Sequence, residues 1–136
     1  MSESVQVLIV DDQSRARQSL KALMTTWPRI QDIREAASGR DAIRLIRASQ
    51  PDVVLMDVRM PEVDGLEVTR LIKVKWPQVK VIVLTMYAEY EADARKVGAD
   101  AFICKGEPPE RLFATLEDVM EQVSDTSHVS AIVQRR

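Results

Sequence analysis

The chain has 136 residues, of which 46% are apolar and 29% are charged, a balance typical of one globular domain with its own core. Its 19 basic and 21 acidic side chains give a formal net charge of −2, which excludes the broad basic field of a nucleic-acid-binding domain. A single cysteine excludes an intrachain disulfide, and no apolar run approaches the roughly 20 residues that span a bilayer. Because the N-terminus is polar and unlike a signal peptide, we expect a cytoplasmic protein without membrane contact.

Short apolar runs alternate along the chain with segments in which apolar residues recur at helical spacing. The runs predict five strands, over residues 5–10, 30–36, 52–56, 79–84 and 101–104. The first helix is predicted from an apolar face made of Ala16, Leu20, Leu23, Met24 and Trp27. Further helices are predicted over residues 38–48, 66–75 and 89–97, and from Pro108 or Pro109 onward. This strict alternation predicts an α/β fold, a parallel sheet with helices on both faces.

Two residues mark helix ends, and a change of composition marks the end of the domain. Ser38 is the predicted N-cap of the second helix, and Gly98 is the predicted C-terminal cap of the fourth. From Ser124 onward the chain becomes polar. We therefore expect a folded domain over residues 1–123, followed over residues 124–136 by a polar tail or the start of a linker.

Four of the predicted strands lead directly into a polar residue. Asp11 and Asp12 end the first strand, Asp57 the third, Thr85 the fourth and Lys105 the fifth. In open parallel sheets the functional groups gather beyond the carboxyl ends of the strands. The sequence therefore predicts that three acids, a hydroxyl and a lysine converge at one edge of the sheet.

Each of these residues also has an ordinary structural explanation. The pair Asp11 and Asp12 could cap the first helix, and Thr85 could cap the fourth. Asp57 could be a loop acid, and Lys105 could be a solvated surface charge. Their coincidence at four strand ends favours a functional site over four separate explanations.

The residue types at this edge favour a particular chemistry. Three carboxylates at close range repel one another unless a cation joins them, and a hard ion such as Mg2+ meets that need. A lysine and a hydroxyl suit a phosphoryl group, to which they offer a positive charge and a hydrogen bond. Because no cysteine or histidine is among the polar residues that follow the strands, a carboxylate is the available nucleophile.

Four motifs, in this order and spacing, resemble the receiver domains of two-component response regulators over about residues 5–123. They are Val-Asp11-Asp12, Asp57-Val-Arg-Met60-Pro61-Glu-Val-Asp64-Gly65, Leu84-Thr85 and Gly98-Ala-Asp-Ala-Phe102-Ile-Cys-Lys105. The resemblance implies a flavodoxin-like fold: a doubly wound, five-stranded parallel sheet of order 2-1-3-4-5 with five helices.

The resemblance also implies roles for the metal and phosphoryl sites. Asp57 would be the phosphoacceptor and Lys105 would contact the phosphoryl oxygens. Asp12 and Asp57 would bind Mg2+ directly, with the backbone carbonyl of Arg59 as a third ligand. Asp11 would hold a metal-bound water.

Further roles implied by the resemblance concern the switch and its surroundings. Thr85 and Phe102 would be the switch hydroxyl and the switch aromatic. Arg59, Met86 and Tyr87 would border the phosphoryl group and control the access of water. The residue types themselves favour a structural role for Met60-Pro61, Asp64 and Gly65: the proline fixes the loop, the glycine permits a tight entry to the third helix, and Asp64 is its predicted N-cap.

The function implied is a phosphorylation-dependent signalling switch with slow self-dephosphorylation at most, and not an enzyme. The donor would be a sensor histidine kinase or a phosphotransfer protein, and a homodimer is expected on phosphorylation. The Lys105-Gly106 junction and Leu84-Thr-Met-Tyr87 are similar to regulators of the NarL/FixJ type, which carry a LuxR-type helix-turn-helix. The output would then be transcription, with DNA bound only through a C-terminal domain absent from this chain.

Two other classes of function compete with the signalling switch. A magnesium-dependent phosphatase with an aspartate nucleophile usually carries a second aspartate two residues later, where this chain has Arg59. A flavodoxin-like cofactor binder needs a glycine-rich or hydroxyl-rich phosphate loop after the first strand. This chain has Asp11 and Asp12 there, and they would repel a cofactor phosphate.

Overall fold

The structure is a computed structural model that describes the backbone of residues 4–134 and the side chains of residues 4–121. Within that part of the chain, one sheet contains five parallel strands in the order β2-β1-β3-β4-β5, which confirms the expected topology. The strands are β1 (Val5–Val10), β2 (Ile30–Ala36), β3 (Val53–Met56), β4 (Lys80–Thr85) and β5 (Ala101–Cys104). Every boundary lies within one residue of the sequence prediction, because alternation of apolar runs and turns leaves little freedom in where a strand ends.

The strands are connected by helices, as predicted. They are α1 (Ser14–Thr25), α2 (Gly39–Ala48), α3 (Gly65–Lys75), α4 (Glu91–Lys96) and α5 (Pro109–Gln134). None of the helices, over the residues described, is long and apolar enough to cross a membrane.

Two details of the helices differ from the sequence prediction. The predicted fourth helix, 89–97, is divided into a 3₁₀ turn over Ala88–Tyr90 and the short α4, and neither element begins with a side-chain cap. Trp27, expected on the apolar face of the first helix, lies two residues beyond the end of α1, although its side chain is buried. The period of the apolar residues continues past the point at which the backbone leaves the helix.

The C-terminal segment is helical farther than its composition suggested. The backbone of α5 continues to Gln134, through most of the segment expected to be a polar tail. The side chains of residues 122–134 and all of residues 135–136 lie outside the described part of the chain. The expected domain boundary at residue 123 therefore stays a prediction.

The core has two layers, one on each face of the sheet. Buried side chains of α2, α3 and α4 cover one face, and they are Ala42, Ile46, Val68, Ile72 and Ala94. Met24 of α1 and Leu112, Leu116 and Val119 of α5 cover the other face. All four residues of β3 are buried, as expected of a strand with helices on both sides. Along the central strand β3, polar groups can therefore reach solvent only where the strand ends.

Side-chain caps begin the two helices that follow β2 and β3. Ser38 Oγ accepts a hydrogen bond from the backbone N–H of Asp41 at 3.0 Å, and Asp64 Oδ1 accepts one from Glu67 at 3.0 Å. Both predicted N-caps are confirmed, and each satisfies a backbone donor that the first turn leaves unpaired.

Candidate functional site

The register of the sheet brings the polar strand ends to one level. Val10 of β1 lies opposite Met56 of β3, and Met56 lies opposite Val83 of β4. The ladder continues past the strands, because the N–H of Asp57 donates to the carbonyl of Val10 at 3.0 Å and that of Lys105 to the carbonyl of Thr85 at 2.7 Å. The predicted convergence of the strand ends is confirmed.

Three carboxylates meet at this edge. Asp11, Asp12 and Asp57 each offer an oxygen, and these oxygens all lie within 4.8 Å of one another. Lys105 Nζ lies 2.8 Å from Asp11 Oδ2 and 3.7 Å from Asp57 Oδ1. Three carboxylates against one ammonium leave two negative charges without compensation when all are ionised.

The electrostatics of Asp57 follow from this arrangement. Burial raises the pKa of the Asp57 carboxyl above its ordinary value of 3.8, and the charge of Lys105 opposes that rise. The neighbouring Asp11 and Asp12 raise the pKa further, while the backbone N–H of Val58 lowers it. The ionised carboxylate of Asp57 is thus destabilised in the folded protein and would be stabilised by a bound cation.

The ordinary explanations for the Asp11–Asp12 pair and for Lys105 do not fit the geometry. The N-cap of α1 is Gln13, and no side chain caps that helix. Instead, Asp11 Oδ1 accepts a hydrogen bond from the N–H of Gln13 at 3.0 Å within the turn that leaves β1. Lys105 has only a quarter of its side chain exposed and contacts two acids, so it is not a solvated surface charge.

Thr85 and Phe102, the expected switch residues, lie on neighbouring strands of the sheet. Thr85 ends β4 with its side chain buried, and its Oγ1 accepts a hydrogen bond from the N–H of Tyr87 at 3.4 Å. Phe102 lies opposite Val83 and packs partly buried against the core layer that contains α2, α3 and α4. Their roles in a switch stay a prediction.

Gly65 fixes the loop that follows the central acid. A Cβ atom at this position would lie 1.9 Å from the backbone oxygen of Asp57, so a larger residue would displace that backbone. The N–H of Gly65 also donates to the carbonyl of Val58 at 2.8 Å. Gly65 is therefore required for the close approach of α3 to the end of β3.

Arg59 and Tyr87, two of the three residues expected to border the site, contact each other, and Arg59 also contacts a fourth residue that the sequence did not indicate. The guanidinium carbon of Arg59 lies 4.2 Å from the centre of the Tyr87 ring, and its Nε donates to the hydroxyl of Tyr90 at 3.2 Å. That hydrogen bond raises the pKa of Arg59 above its ordinary value. Met86 is 66% exposed beside them.

Tyr90 completes this aromatic group. Its ring meets that of Tyr87 edge to face, with the centroids 6.1 Å apart. The only signal in the sequence was the spacing of three residues between the two tyrosines, which is one turn of a 3₁₀ helix. We refer to Arg59, Met86, Tyr87 and Tyr90 as the rim group.

Comparison with known protein families gives a clear match. A sequence profile described as "Response regulator receiver domain" matches residues 7–117. An uncharacterised transcriptional regulatory protein of Bacillus subtilis, YhcZ, is 36% identical over 113 residues, which are 82% of this chain and 53% of that protein. The response regulator protein VraR of Staphylococcus epidermidis is 38% identical over 104 residues, which are 75% of this chain and 50% of that protein. The chain spans about half the length of these relatives.

Solved structures with the same fold include response regulators. The response regulator TrrA of Thermotoga maritima, solved in complex with Mg2+ and a beryllium fluoride, is 28% identical with a TM-score of 0.79 and covers 85% of this chain and 98% of its own. A DNA-binding response regulator of the LuxR family from Staphylococcus aureus is 31% identical with a TM-score of 0.78 and the same coverage.

The electrostatics of Asp57 lead to a prediction about stability. Because the pKa of Asp57 is raised in the folded protein, stability falls as the pH rises from below 3.8 through the folded pKa. In Mg2+-free buffer, we expect Asp57→Asn to have a higher free energy of unfolding than wild type at about pH 7 and a smaller advantage at about pH 3. Urea unfolding at both pH values measures the difference, and excess Mg2+ should reduce it by binding wild type. An advantage that is absent at pH 7, or that grows in acid, would contradict the analysis.

Proposed function

The chain belongs to the family of response regulator receiver domains, and from that premise we propose that Asp57 accepts a phosphoryl group in a Mg2+-dependent signalling switch. Receiver domains are a phosphoacceptor family. Of the relatives named above, YhcZ is described as a transcriptional regulatory protein and VraR as a response regulator protein. The observation that carries the proposal is the cluster of Asp11, Asp12 and Asp57 within 4.8 Å, with Lys105 beside two of them. The donor is a sensor histidine kinase or a phosphotransfer protein.

The donor set fits a divalent magnesium ion. All three groups are hard carboxylate oxygens, and they carry an excess of two negative charges over Lys105. Asp12 and Asp57 would hold the ion directly, with the Arg59 backbone carbonyl as a third ligand and Asp11 holding a metal-bound water. When bound, the ion neutralises charge that develops on the phosphoryl oxygens.

In the transfer step, an Asp57 carboxylate oxygen attacks phosphorus and forms the P–O bond. The P–N bond of the donor phosphohistidine breaks, and its electron pair stays on the imidazole nitrogen. Lys105 then offers a positive charge to the phosphoryl oxygens. Its present contacts with Asp11 and Asp57 already place its ammonium group close to the phosphoacceptor. No further residue is needed to accept a proton, because Asp57 reacts as the carboxylate.

The readout of phosphorylation would pass through Thr85 and Phe102. A phosphoryl group on Asp57 would offer acceptors to the O–H of Thr85. The hydrogen bond that Thr85 Oγ1 accepts from Tyr87 N–H is long, at 3.4 Å, and so holds the hydroxyl only weakly in its present position. Movement of Thr85 would leave space that Phe102, only partly buried, can occupy. The phosphoryl group must favour this arrangement energetically in order to shift the population.

The output is a change of partner binding, and the relatives favour transcription as its result. Because this chain spans about half of those regulators, DNA contact would come through a C-terminal domain outside it. The net charge of −2 gives this domain no general attraction for nucleic acid. We expect the switch to operate in the cytoplasm.

The competing phosphatase reaction lacks a second acid at the expected place. The residue two after Asp57 is Arg59, whose guanidinium contacts Tyr87 and Tyr90. The rim group also contains no carboxylate or histidine that could activate a water molecule. Phosphoryl acceptance with slow hydrolysis is therefore favoured over turnover.

The phosphoacceptor assignment is tested by labelling. Incubation with acetyl phosphate and Mg2+ should add one base-labile phosphoryl group to wild type, and Asp57→Asn should abolish the addition because the nucleophile is lost. Asp52→Asn is a matched control, since Asp52 lies at the opposite end of β3 and accepts a hydrogen bond from Gln6. Intact-protein mass spectrometry measures the modification. Labelling of the Asp57 variant at the wild-type level would refute the assignment.

The metal site is tested by calorimetry. Asp12→Ala removes a direct ligand and part of the local negative field, so Mg2+ affinity should fall at least about tenfold. Asp32→Ala removes the same charge from an exposed position on β2 and should leave the affinity near that of wild type. If both variants bind Mg2+ equally well, Asp12 is not a ligand.

Phosphorylation is expected to produce a homodimer. The surface around β5 and its flanking helices would change when Thr85 and Phe102 move, and a second copy is the partner always present. Light scattering in Mg2+ with beryllofluoride, a phosphoryl mimic, should double the mass of wild type and leave that of Asp57→Asn unchanged. A monomer under both conditions would show that dimerisation is not the readout of this domain.

The rim group leads to a prediction about the lifetime of the phosphoryl group. Attacking water must approach the phosphorus in line, and the bulk of Met86 and Arg59 would narrow that approach. We expect Met86→Ala and Arg59→Ala to dephosphorylate several-fold faster than wild type. Arg95→Ala, which removes an exposed arginine of α4 paired with Glu91, is the control and should decay at the wild-type rate. The decay of purified phosphoprotein is the measurement, and unchanged rates in both rim variants would contradict the prediction.

A further inference from the structure

Arg17 connects the turn after β1 to the neighbouring strand β2. Its guanidinium donates one hydrogen bond from Nη1 to the backbone carbonyl of Asp11 at 2.7 Å. It donates another from Nε to Glu35 Oε1 at 3.1 Å. Arg17 and Glu35 are 18 residues apart in the sequence and meet because α1 packs beside β2.

A cation at this position does not stabilise the helix in which it lies. Arg17 is in the first turn of α1, where the helix dipole favours acidic side chains, and that turn has none. Only 17% of its side chain is exposed, so its charge has lost much of its water. Both effects are unfavourable for the cation, and its hydrogen bonds to Glu35 and Asp11 offset them.

Glu35 lies near the carboxyl-terminal end of β2, at the same end of the strands as the acidic site. It lies opposite Ile9 in the register, and the next pair is Val10 with Ala36. The N–H of Asp11 then donates to the carbonyl of Ala36 at 3.1 Å. Glu35 therefore gives Arg17 a fixed partner on the edge strand, one step before the functional turn.

The carbonyl that Arg17 holds belongs to the peptide that joins Asp11 to Asp12. A peptide unit is planar, so fixing its oxygen also fixes the direction of the Asp12 N–H and the position of the Asp12 Cα. The side chain of Asp11 is separately held by Gln13 N–H and Lys105. Of these contacts, the hydrogen bond from Arg17 most directly fixes the backbone position of Asp12.

We propose that Arg17, held by Glu35, is a positioning residue that orients the Asp11–Asp12 peptide so that both carboxylates face the cation. The proposal rests on the Mg2+ site of the proposed function and adds the residue pair that sets its geometry. Arg17 acts through the backbone and is not itself a ligand. Loss of an outer partner of this kind typically weakens metal binding about tenfold or more.

The test compares the Mg2+ affinity of four versions of this 136-residue chain by calorimetry, with thermal unfolding in EDTA as a check of folding. Arg17→Met should bind Mg2+ about tenfold more weakly than wild type. Arg17→Lys keeps the charge but not the planar, two-directional donor group, so it should recover only part of the affinity. Lys21→Met is the control: Lys21 contacts Glu35 at 3.4 Å, is half exposed and should leave the affinity unchanged.

Three results would overturn the proposal. They are wild-type affinity in Arg17→Met, full recovery in Arg17→Lys, or a loss in Lys21→Met as large as that in Arg17→Met. If Arg17→Met does not fold, Glu35→Gln keeps the guanidinium but weakens its hold, and unchanged affinity there would also overturn the proposal. Asp12→Ala separates failure of the proposed metal site from failure of the positioning role. If Asp12→Ala binds Mg2+ normally, the assignment of the metal site is wrong. If Asp12→Ala binds Mg2+ weakly and Arg17→Met binds it normally, only the positioning role is refuted.

Discussion

The repulsion between three carboxylates is the constraint on which the rest of this molecule depends. Asp11 and Asp12 come from β1 and Asp57 from β3, the two strands between which a sheet of order 2-1-3-4-5 reverses its direction of winding. The parallel register holds their oxygens within 4.8 Å, and Lys105 compensates only one of the three charges. A site with this excess of negative charge has a lower free energy when it binds a small divalent cation.

The fold tolerates this repulsion because the surrounding structure is rigid and apolar. β3 is buried along its whole length, and helices cover both faces of the sheet, so the acids cannot separate by moving the strands. The close approach at Gly65 fixes the backbone of Asp57, and the contact from Arg17 fixes the peptide after Asp11. In the proposed function, the same rigidity would transmit a chemical change at Asp57 to Thr85 and Phe102, since packed side chains adjust in discrete steps.

The periodicity of apolar residues predicted the elements of the α/β fold, and the family resemblance predicted the strand order. Contacts between side chains of different elements could not be predicted in either way. The strand boundaries, the N-caps Ser38 and Asp64 and the convergence of the strand ends follow from local pattern, and they are confirmed. The contacts of Arg17 with Glu35 and of Arg59 with Tyr90 depend on side-chain conformations across different elements, which no spacing rule specifies. Trp27 shows that periodicity can also fail locally: it lies on the buried side, as its apolar spacing indicated, but outside the helix that the spacing predicted.

A crystal structure of the chain with Mg2+ and beryllofluoride tests the central claim most directly. The account predicts beryllium bonded to a carboxylate oxygen of Asp57, with Mg2+ in contact with Asp12 and Asp57. It also predicts that Lys105 Nζ has left its position 2.8 Å from Asp11 Oδ2 and contacts a fluoride, because the new anion competes for its charge. Beryllofluoride bound away from Asp57, or Mg2+ bound without the acidic cluster, would contradict the account.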